Sequence, residues 1–281
     1  MLAIESLFER PSQSYSVDPR AVEWILADSA NPLNRLVSVI PKGARVLDVG
    51  AGNGVLARLL QHVHGDVIID GVEPDPAAVE HARPCYRNLY QGSIEAFLSE
   101  LNESVSYNFI VLADVIEHLQ NPERILRLLR DRFGRSAKIC ISTPNVAFVS
   151  VRVALLNGAF DYVDSGILER THLRFFTLYS LKQLFAATHL FPQETMLLKR
   201  NPLDMEIRLR DFSVSPFLLS KLLRDELASV YQFLFVLGPE SCDSVVTAYG
   251  DPGRAVVLRY LKSRLTHYFA CGRRNQRFSQ N

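Results

Sequence analysis

An α/β fold with a doubly wound, mostly parallel sheet is the class that the sequence predicts, on three observations. Short apolar, β-branched runs alternate with amphipathic helical patterns between residues 45 and 142. Runs such as Phe-Ile-Val-Leu-Ala at 109–113 lack polar alternation, as strands buried on both faces do. A glycine-rich turn at 50–54 joins the first strand of the series to its first helix.

The elements follow in order along the chain. Apolar residues recur at helical spacing from Pro19 to Ile40, and Asn31-Pro32 divides them into two helices, so we interpret residues 1–41 as a helical N-terminal cap. The alternation that follows predicts strands at 45–49, 67–73, 88–91, 109–113 and 138–142. It also predicts helices that end near 63, begin at 76 and 94, and span 122–132.

Beyond Pro144 the alternation loosens. Polar and aromatic side chains are concentrated at 158–174, so we predict that about 145–177 forms a lid over a site, with a helix at 178–187 after it. Two further strands are expected near 194–199 and at 230–237, with a short helix at 216–225 between them. These elements complete a main domain at 42–238.

Composition restricts the function classes. The chain has 281 residues, 48% of them hydrophobic, and a net charge of +1, which gives no general attraction to nucleic acid. No run approaches the roughly 18 apolar residues of a membrane-spanning helix, and the N-terminus lacks a secretion-signal pattern, so we expect a cytoplasmic protein. The four cysteines form no Cys-x-x-Cys pair, and we predict neither a metal site nor a disulfide framework.

The C-terminal part, 239–281, is predicted to be a basic helix and tail. Residues 251–281 contain seven Lys or Arg against one acid, and apolar residues at helical spacing mark one face of 255–269. Packing on the domain or homodimerisation is the default interpretation. Peripheral contact with an anionic membrane surface is the alternative.

The glycine turn is the most informative segment. Gly50, Gly52 and Gly54 lack the Cβ atoms that would keep a ligand from the backbone, and glycine tolerates positive φ. The dinucleotide fingerprint needs its third glycine one position later, where this chain has Val55, so NAD fits less well. Loop amides and a helix N-terminus favour a carboxylate as readily as a phosphate, and a carboxylated nucleoside would fit.

This turn resembles the first motif of the class I S-adenosylmethionine-dependent methyltransferases, which matches residues 46–54. The resemblance covers roughly 46–190 and the strand at 230–237. It implies S-adenosylmethionine as the cofactor and a seven-stranded, Rossmann-like sheet that ends in an antiparallel strand.

Candidate cofactor ligands follow the predicted strands. Glu73 ends the second strand about 20 residues past the turn, where a carboxylate can accept both ribose hydroxyls. A capping or surface role is the alternative, although Asp75 before Pro76 is the better cap. Asp48 lies among apolar residues and must accept hydrogen bonds. The resemblance implies that it serves the methionine end of the cofactor, with scaffolding of the loop as the alternative.

Near the adenine the family often has an acidic residue, where this chain has Ser93. A hydroxyl and the next backbone amide could serve there. The predicted cofactor contacts are Asp48, Gly50, Ala51, Gly52, Gly54, Glu73, Pro74, Ser93, Ile94, Ala113, Asp114 and Val115.

The segment after the fourth strand, Asp114-Val-Ile-Glu-His118, resembles the family segment at this place. An alcohol nucleophile needs a base, and His118 is a candidate because imidazole titrates near neutrality. A hydrogen bond to a neighbouring loop is the alternative. Ser-Thr-Pro-Asn at 142–145 departs from the Asn-Pro-Pro-aromatic segment of amino-directed nucleic-acid methyltransferases. It resembles small-molecule methyltransferases in which this turn lines the acceptor pocket.

The predicted lid carries His172-x-Arg174-x-Phe-Thr177. This sequence pattern resembles that of bacterial methyltransferases associated with cell-surface polysaccharide and other glycosyl acceptors. His172 is then the first candidate for the general base, and Arg174 for orienting an acceptor hydroxyl or phosphate. In the alternative interpretation both side chains pin the lid to the sheet edge, while Thr177 caps the helix that begins at Leu178.

Taken together, these patterns predict O-methylation of a hydroxyl on a sugar, glycan or nucleotide sugar, with no nucleic-acid partner. A phenol or quinone acceptor stays open, because Glu-His-Leu at 117–119 also resembles ubiquinone-pathway methyltransferases. A non-catalytic cofactor-binding module of an assembly complex is the alternative from a different class.

Overall fold

The computed structural model describes residues 21–253 and 256–260. In that part of the chain an eight-stranded sheet is flanked by helices. The strands are β1 Arg45–Val49, β2 Ile68–Glu73, β3 Asn88–Gln91, β4 Phe109–Ala113, β5 Lys138–Pro144, β6 Phe191–Lys199, β7 Val230–Gly238 and β8 Val245–Gly250. The helices are α1 Ala21–Ala27, α2 Pro32–Val39, α3 Val55–His64, α4 Pro76–Ala82, α5 Ile94–Glu100, α6 Pro122–Phe133, α7 Val149–Leu156, α8 Leu178–Ala187 and α9 Pro216–Leu222.

The sheet is doubly wound, in the order β3-β2-β1-β4-β5-β7-β6-β8. Strands β1 to β5 run parallel to one another, and β7 runs antiparallel to both β5 and β6. The fold-class prediction is therefore confirmed, and the strand predicted at 230–237 is the antiparallel one. Because the strand order reverses between β1 and β4, the loops after these two strands flank a crevice at the carboxyl edge.

One more strand is present than the seven that were predicted. Strand β8 lies inside 239–281, which was predicted to form a helix and tail, and pairs in parallel with β6. Val245 and Val246 are exposed in it, so this edge strand lacks the buried apolar run that marks the inner strands. Of the helix predicted at 255–269, residues 256–260 are described and are helical, with Val256 and Tyr260 buried, and the rest lies outside the described residues.

The core forms one layer on each face of the sheet. Alternate residues of β1 enter opposite layers: Val46 packs with α2 and α3, and Leu47 packs with α6 and α8. Burying each such large apolar side chain stabilises the fold by roughly 1.5–3 kcal/mol. Since α2 contributes Leu36 and Val37 to the first layer, the predicted N-terminal cap is partly built into the core, and its residues 1–20 lie outside the described part.

The predicted lid begins with a buried helix. Val149 and Val153 of α7 pack against α9 and the helical residues 256–260, while Val151 packs against Ile167. Exposed aromatic side chains follow at 160 and 162. Thr177 caps α8 as predicted, and it shares a capping box with Ser180. Among the described residues, no helix has both the length and the apolar composition needed to cross a membrane.

Candidate functional site

The glycine turn projects from the end of β1 with an open side. Gly50, Gly52 and Gly54 have φ of 77°, 51° and 80°, values at which only glycine is unstrained. A Cβ on Gly50 would lie 2.6 Å from Val115 Cγ2, whereas a Cβ on Gly52 would find nothing within 4 Å. The turn is thus packed against the loop after β4 at one end and is accessible to a ligand in its middle.

Glu73 holds the turn from the end of β2. The residue is buried, with 7% of its surface exposed. Oε2 accepts from the Gly52 amide at 2.8 Å, and Oε1 accepts from the Asp75 amide at 2.9 Å. An ionised carboxylate has about four lone-pair sites, so acceptor capacity remains for two ribose hydroxyls. Asp75 caps α4 through the Ala77 amide at 2.8 Å, as predicted.

Asp48 lies beneath the turn, 2% exposed. Its Oδ2 accepts from the Tyr86 hydroxyl at 2.6 Å. Burial and the nearby charge of Glu73 raise the pKa of Asp48 to about 7, although the Tyr86 hydrogen bond opposes them. Sequence reasoning predicted that this carboxylate needs a partner and missed Tyr86, which follows α4 and is 38 residues away.

The turn after β3 adjoins these groups. The Gly92 amide donates to the Glu73 carbonyl at 3.0 Å, which holds the ends of β2 and β3 together. Ser93 is the N-cap of α5 and accepts from the Ala96 amide at 3.2 Å, and Ile94 is buried. The Ser93 hydroxyl therefore has a structural task, and its predicted contact with the adenine stays a prediction, as do those of Pro74 and Ala113.

Asp114 follows β4 in a left-handed conformation, with φ of 56°. Such strain in a non-glycine residue persists only where surrounding contacts hold it, and it is concentrated at functional sites. Here Oδ1 accepts from Ser142 Oγ at 2.9 Å and from the Gln232 amide group. These bonds tie the loop after β4 to strands β5 and β7.

A cavity of about 640 Å³ opens beside Asp114. Its lining is rich in polar groups from α2, the end of β6 and the start of β7: Asn31, Lys199, Arg200, Asn201, Tyr231 and Gln232. Arg200 pairs with Asp28, whereas Lys199 makes no ion pair within the described residues. Sequence reasoning found Asp114 and missed the others, which carry no local motif.

The Ser-Thr-Pro-Asn turn at 142–145 supports this cavity from behind. Asn145 donates through its side chain to the Val230 carbonyl at 2.8 Å and through its backbone to the Tyr231 carbonyl at 2.8 Å. The turn therefore positions β7, whose residues line the cavity.

His118 and His172, predicted from separate segments, meet in the structure. Their ring centroids are 4.8 Å apart and the ring planes cross at 76°. The imidazole Nδ1 of His172 lies 3.0 Å from the Ile167 carbonyl oxygen. Burial lowers the pKa of His172, and the neighbouring His118 lowers it further. The ring is therefore a neutral imidazole at neutral pH, with Nδ1 donating to the carbonyl and Nε2 bearing the lone pair.

Glu117 lies next to the two histidines, and the sequence analysis did not identify it as a site residue. It is 1% exposed, Oε2 accepts from Thr143 Oγ1 at 3.0 Å, and Oε1 has no hydrogen-bond partner. Burial, with the nearby charge of Asp114, raises the pKa of Glu117 well above its usual value. One polar atom from each of Glu117, His118 and His172 lies within 4.8 Å of the others.

Backbone bonds fasten the lid segment to this loop. The amides of Leu173 and Arg174 donate to the Glu117 carbonyl at 2.8 and 2.9 Å, and the Arg174 guanidinium donates to the Gln120 carbonyl at 2.6 Å. These contacts correspond to the alternative interpretation, in which His172 and Arg174 hold the lid against the sheet edge. The orienting role of Arg174 and the base roles of His118 and His172 stay predictions.

The site residues fit the cofactor that the fold implies. The middle of the turn at Gly52 has room for a ligand, and Glu73 keeps free lone pairs beside it. Both lie at the carboxyl edge of the sheet, next to the point where the strand order reverses.

Comparisons with known proteins agree. The profile of a family described as a methyltransferase domain matches residues 23–190. A ubiquinone biosynthesis O-methyltransferase of Azorhizobium caulinodans is 28% identical over 192 residues, which are 64% of this chain and 72% of that protein. One from Glaesserella parasuis is 26% identical over 138 residues, 46% of this chain and 57% of the other.

Two solved structures share the fold. A SAM-dependent methyltransferase from Archaeoglobus fulgidus has a TM-score of 0.51 at 18% identity, covering 77% of this chain and 94% of its own. A plantazolicin methyltransferase in complex with SAH has a TM-score of 0.51 at 14% identity, covering 75% and 86%. Since the family profile covers more than half of the sequence, this chain belongs to the methyltransferase domain family.

Proposed function

We propose that this enzyme transfers a methyl group from S-adenosylmethionine to a hydroxyl oxygen of a small polar acceptor, first of all a sugar or nucleotide sugar. The observation that carries the proposal is the cavity of about 640 Å³ beside Asp114. Its polar lining suits the hydroxyl groups of a sugar, since Asp114, Asp204 and Asp251 also line it and can accept from them. Lys199 is the cation that a phosphate group would contact.

On the cofactor side, three groups of the chain divide the work of binding. The open turn at Gly52 receives the amino-acid portion, Glu73 accepts from the ribose hydroxyls, and Asp48 supports the turn from beneath, bonded to Tyr86. The bound cofactor supplies an electrophilic methyl group on a positively charged sulfur. Because that charge disappears during transfer, a dry cavity and an aimed nucleophile are the main requirements.

The acceptor hydroxyl must lose its proton as its oxygen attacks the methyl carbon. We assign the loss of that proton to the cluster of Glu117, His118 and His172; the first two follow Asp114 on the loop after β4, and His172 joins them from the lid segment. The neutral imidazole of His172 supports this assignment, because a charged ring has no lone pair to offer.

The test is methyl transfer from radiolabelled S-adenosylmethionine to a panel of sugars, nucleotide sugars and catechols, with the product identified by NMR. We expect an O-methyl sugar. His118→Ala and His172→Ala should each lower turnover by about 10² or more if the cluster activates the hydroxyl. Methylation at nitrogen, or turnover unchanged in both variants, contradicts the proposal.

Lys199→Met tests the acceptor side of the proposal. For a phosphate-bearing acceptor we expect KM to rise about tenfold, since one charge-assisted contact contributes about 1.5–3 kcal/mol. Lys182→Met, at an exposed position on α8, is the matched control. An unchanged KM in Lys199→Met argues against a phosphorylated acceptor.

A phenol is the second candidate acceptor, and the relatives favour it. The curated proteins similar to this chain are named ubiquinone biosynthesis O-methyltransferases, at 26–28% identity. The chain spans only 57% of the first of them, so the acceptor is argued from the cavity as well. Preference for catechols over sugars in the same panel would select this candidate.

A further inference from the structure

We propose that Glu117, His118 and His172 form a binding site for one divalent transition-metal ion of the Zn²⁺ type. Imidazole and carboxylate are ligands that such ions accept together, whereas Mg²⁺ prefers oxygen ligands alone. The absence of a metal site was predicted from cysteine spacing, which says nothing about a site built from histidine and glutamate.

The three side chains already converge. One candidate ligand atom from each lies within 4.8 Å of the other two. Zinc takes nitrogen and oxygen ligands at about 2.0–2.2 Å in tetrahedral geometry, which places neighbouring ligand atoms roughly 3.3 Å apart. Side-chain shifts of about 1 Å or less therefore close the site around an ion, with no change of backbone.

The buried oxygen of Glu117 points to a missing partner. Oε1 is inaccessible to solvent and accepts no hydrogen bond, although burying a carboxylate oxygen without a partner costs about 1–3 kcal/mol or more. Thr143 already donates to the other oxygen. A cation bound at Oε1 would supply the compensation that the described residues do not.

Both histidines are oriented as metal ligands usually are. His172 Nδ1 donates to the Ile167 carbonyl at 3.0 Å, and His118 Nδ1 lies 3.3 Å from the Thr171 carbonyl oxygen. A backbone acceptor at Nδ1 fixes the tautomer and leaves Nε2 with its lone pair. One possible ligand atom from each of the three side chains thus converges on one place, an arrangement that suits a cation.

The surrounding backbone keeps the two halves of the site together. The Leu173 and Arg174 amides donate to the carbonyl of Glu117, which links the lid segment to the loop after β4. Ligands that are 55 residues apart in sequence, Glu117 and His172, are therefore held in register before any ion binds.

Three protein ligands leave at least one coordination position open, as in catalytic zinc sites. In this part the inference rests on the proposed function and replaces its base: with the ion bound, His118 and His172 would be ligands, the acceptor oxygen would occupy the open position, and the metal would lower the pKa of its hydroxyl. The proton leaves to solvent, the oxygen forms its bond to the methyl carbon, and the carbon–sulfur bond breaks with its electron pair moving to sulfur. The ion is neither oxidised nor reduced.

The test is calorimetry of ZnCl₂ with the untagged full-length chain after treatment with a chelator, supported by metal analysis of the dialysed protein. We expect one ion per chain. Glu117→Gln and His172→Ala should each weaken binding at least 30-fold, and His62→Ala, exposed on α3, should leave it unchanged. No binding, or equal binding in all variants, overturns the site.

A second measurement covers variants that fail to fold. Co²⁺ bound to the wild-type protein should show visible absorption bands of histidine–carboxylate coordination that Zn²⁺ displaces. Spectra that match free aqueous Co²⁺ overturn the proposal without any variant. These assays contain neither cofactor nor acceptor, so a failure of methyl transfer leaves their result intact. Full methyl transfer by the chelated protein would overturn only the catalytic part.

Discussion

Two buried aspartates on neighbouring strands have opposite surroundings. Asp70, in β2, accepts from Arg87, Asn88 and Tyr107, the first through two guanidinium nitrogens. Burial alone would raise the pKa of Asp70, but the hydrogen bonds from Arg87 and Asn88 outweigh it and hold the pKa below its usual value. Asp48, in β1, has the hydroxyl of Tyr86 as its hydrogen-bond donor and a pKa raised to about 7.

This difference separates a structural carboxylate from one that is held for a ligand. Asp70 is satisfied by the fold itself and needs nothing more. Asp48 lies at the carboxyl edge beside Glu73, where the fold leaves its carboxyl group with few hydrogen-bond donors, and the unpaired oxygen of Glu117 repeats the pattern after β4. Buried carboxyl groups with few hydrogen-bond donors are candidates for contact with substrate or cofactor, since perturbed pKa values are concentrated at functional sites.

The largest expected effect is on the pH dependence of stability. A pKa near 7 in the folded state, against the usual 3.8, means that the folded chain holds a proton on Asp48 that the unfolded chain has released. The contribution to stability is therefore fully present below about pH 4 and is lost as the pH rises to 7. Over that window we expect a loss on the order of 3 kcal/mol.

Asp48→Asn should abolish this slope, because asparagine keeps an acceptor for Tyr86 and does not titrate. Urea unfolding between pH 4 and pH 8 measures it. Asp70→Asn is the matched control with the opposite sign: the lowered pKa of Asp70 stabilises the fold above its unfolded value and is lost in acid. An unaltered slope in Asp48→Asn would show that its carboxylate is ionised throughout.

Removal of the structural carboxylate should come next in size. Asp70→Ala leaves the buried Tyr107 hydroxyl and Asn88 without their acceptor, and we expect a loss of about 2 kcal/mol in the free energy of unfolding. The side chain of Arg87 is 43% exposed, so water takes up its charge and limits the loss.

Denaturant unfolding together with cofactor calorimetry separates the two roles of Asp70. The cofactor Kd should stay within about twofold, since Asp70 contributes nothing to the glycine turn. Glu123→Ala, which breaks an exposed pair with Arg127, should cost only about 0.5 kcal/mol. A large loss of cofactor affinity in Asp70→Ala would erase the distinction between the two aspartates.

Glu73→Gln should affect cofactor binding rather than the stability of the fold. Glutamine is of similar size but replaces one carboxylate oxygen by an amide group, which cannot accept from Gly52 or Asp75. We expect the Kd for S-adenosylmethionine to rise about 10- to 30-fold, the effect of losing a charge-assisted hydrogen bond. Calorimetry measures it, with Glu80→Gln, exposed on α4, as the control. An unchanged Kd would exclude Glu73 from the cofactor site.

The sequence predicted features that depend on local patterns and missed features that depend on contacts across the fold. Strands β1 and β4 were located to the residue because buried parallel strands are largely apolar runs, and the glycine turn is a contiguous motif. Strand β8 was missed because an exposed edge strand carries no such run. Contacts made across the fold, such as that of Tyr86 with Asp48, left no local signal.

The cluster of Glu117, His118 and His172 was predicted only in part. Both histidines were predicted from local sequence patterns. Their contact, however, depends on backbone hydrogen bonds from Leu173 and Arg174 to the Glu117 carbonyl. Glu117 itself was passed over, since one acidic residue beside a strand is common, and only its burial without a partner for Oε1 marks it. Sequence spacing cannot report whether a polar atom is left unpaired, because that depends on packing.

The smallest effect that we expect compares two glycines with the same backbone strain. Gly52 and Gly43 have φ of 51° and 72°, and a Cβ on either would meet nothing within 4 Å. Replacement by alanine should therefore cost each variant about 1 kcal/mol of stability, the strain of a left-handed residue. Only Gly52 lies in the proposed cofactor site, where the added methyl would occupy space meant for the ligand. Gly52→Ala should accordingly raise the Kd for S-adenosylmethionine several-fold while Gly43→Ala leaves it unchanged, as calorimetry and thermal unfolding would measure in parallel. If the two variants bind equally well, the open side of the turn does not face the cofactor, and the ligand must approach the sheet elsewhere.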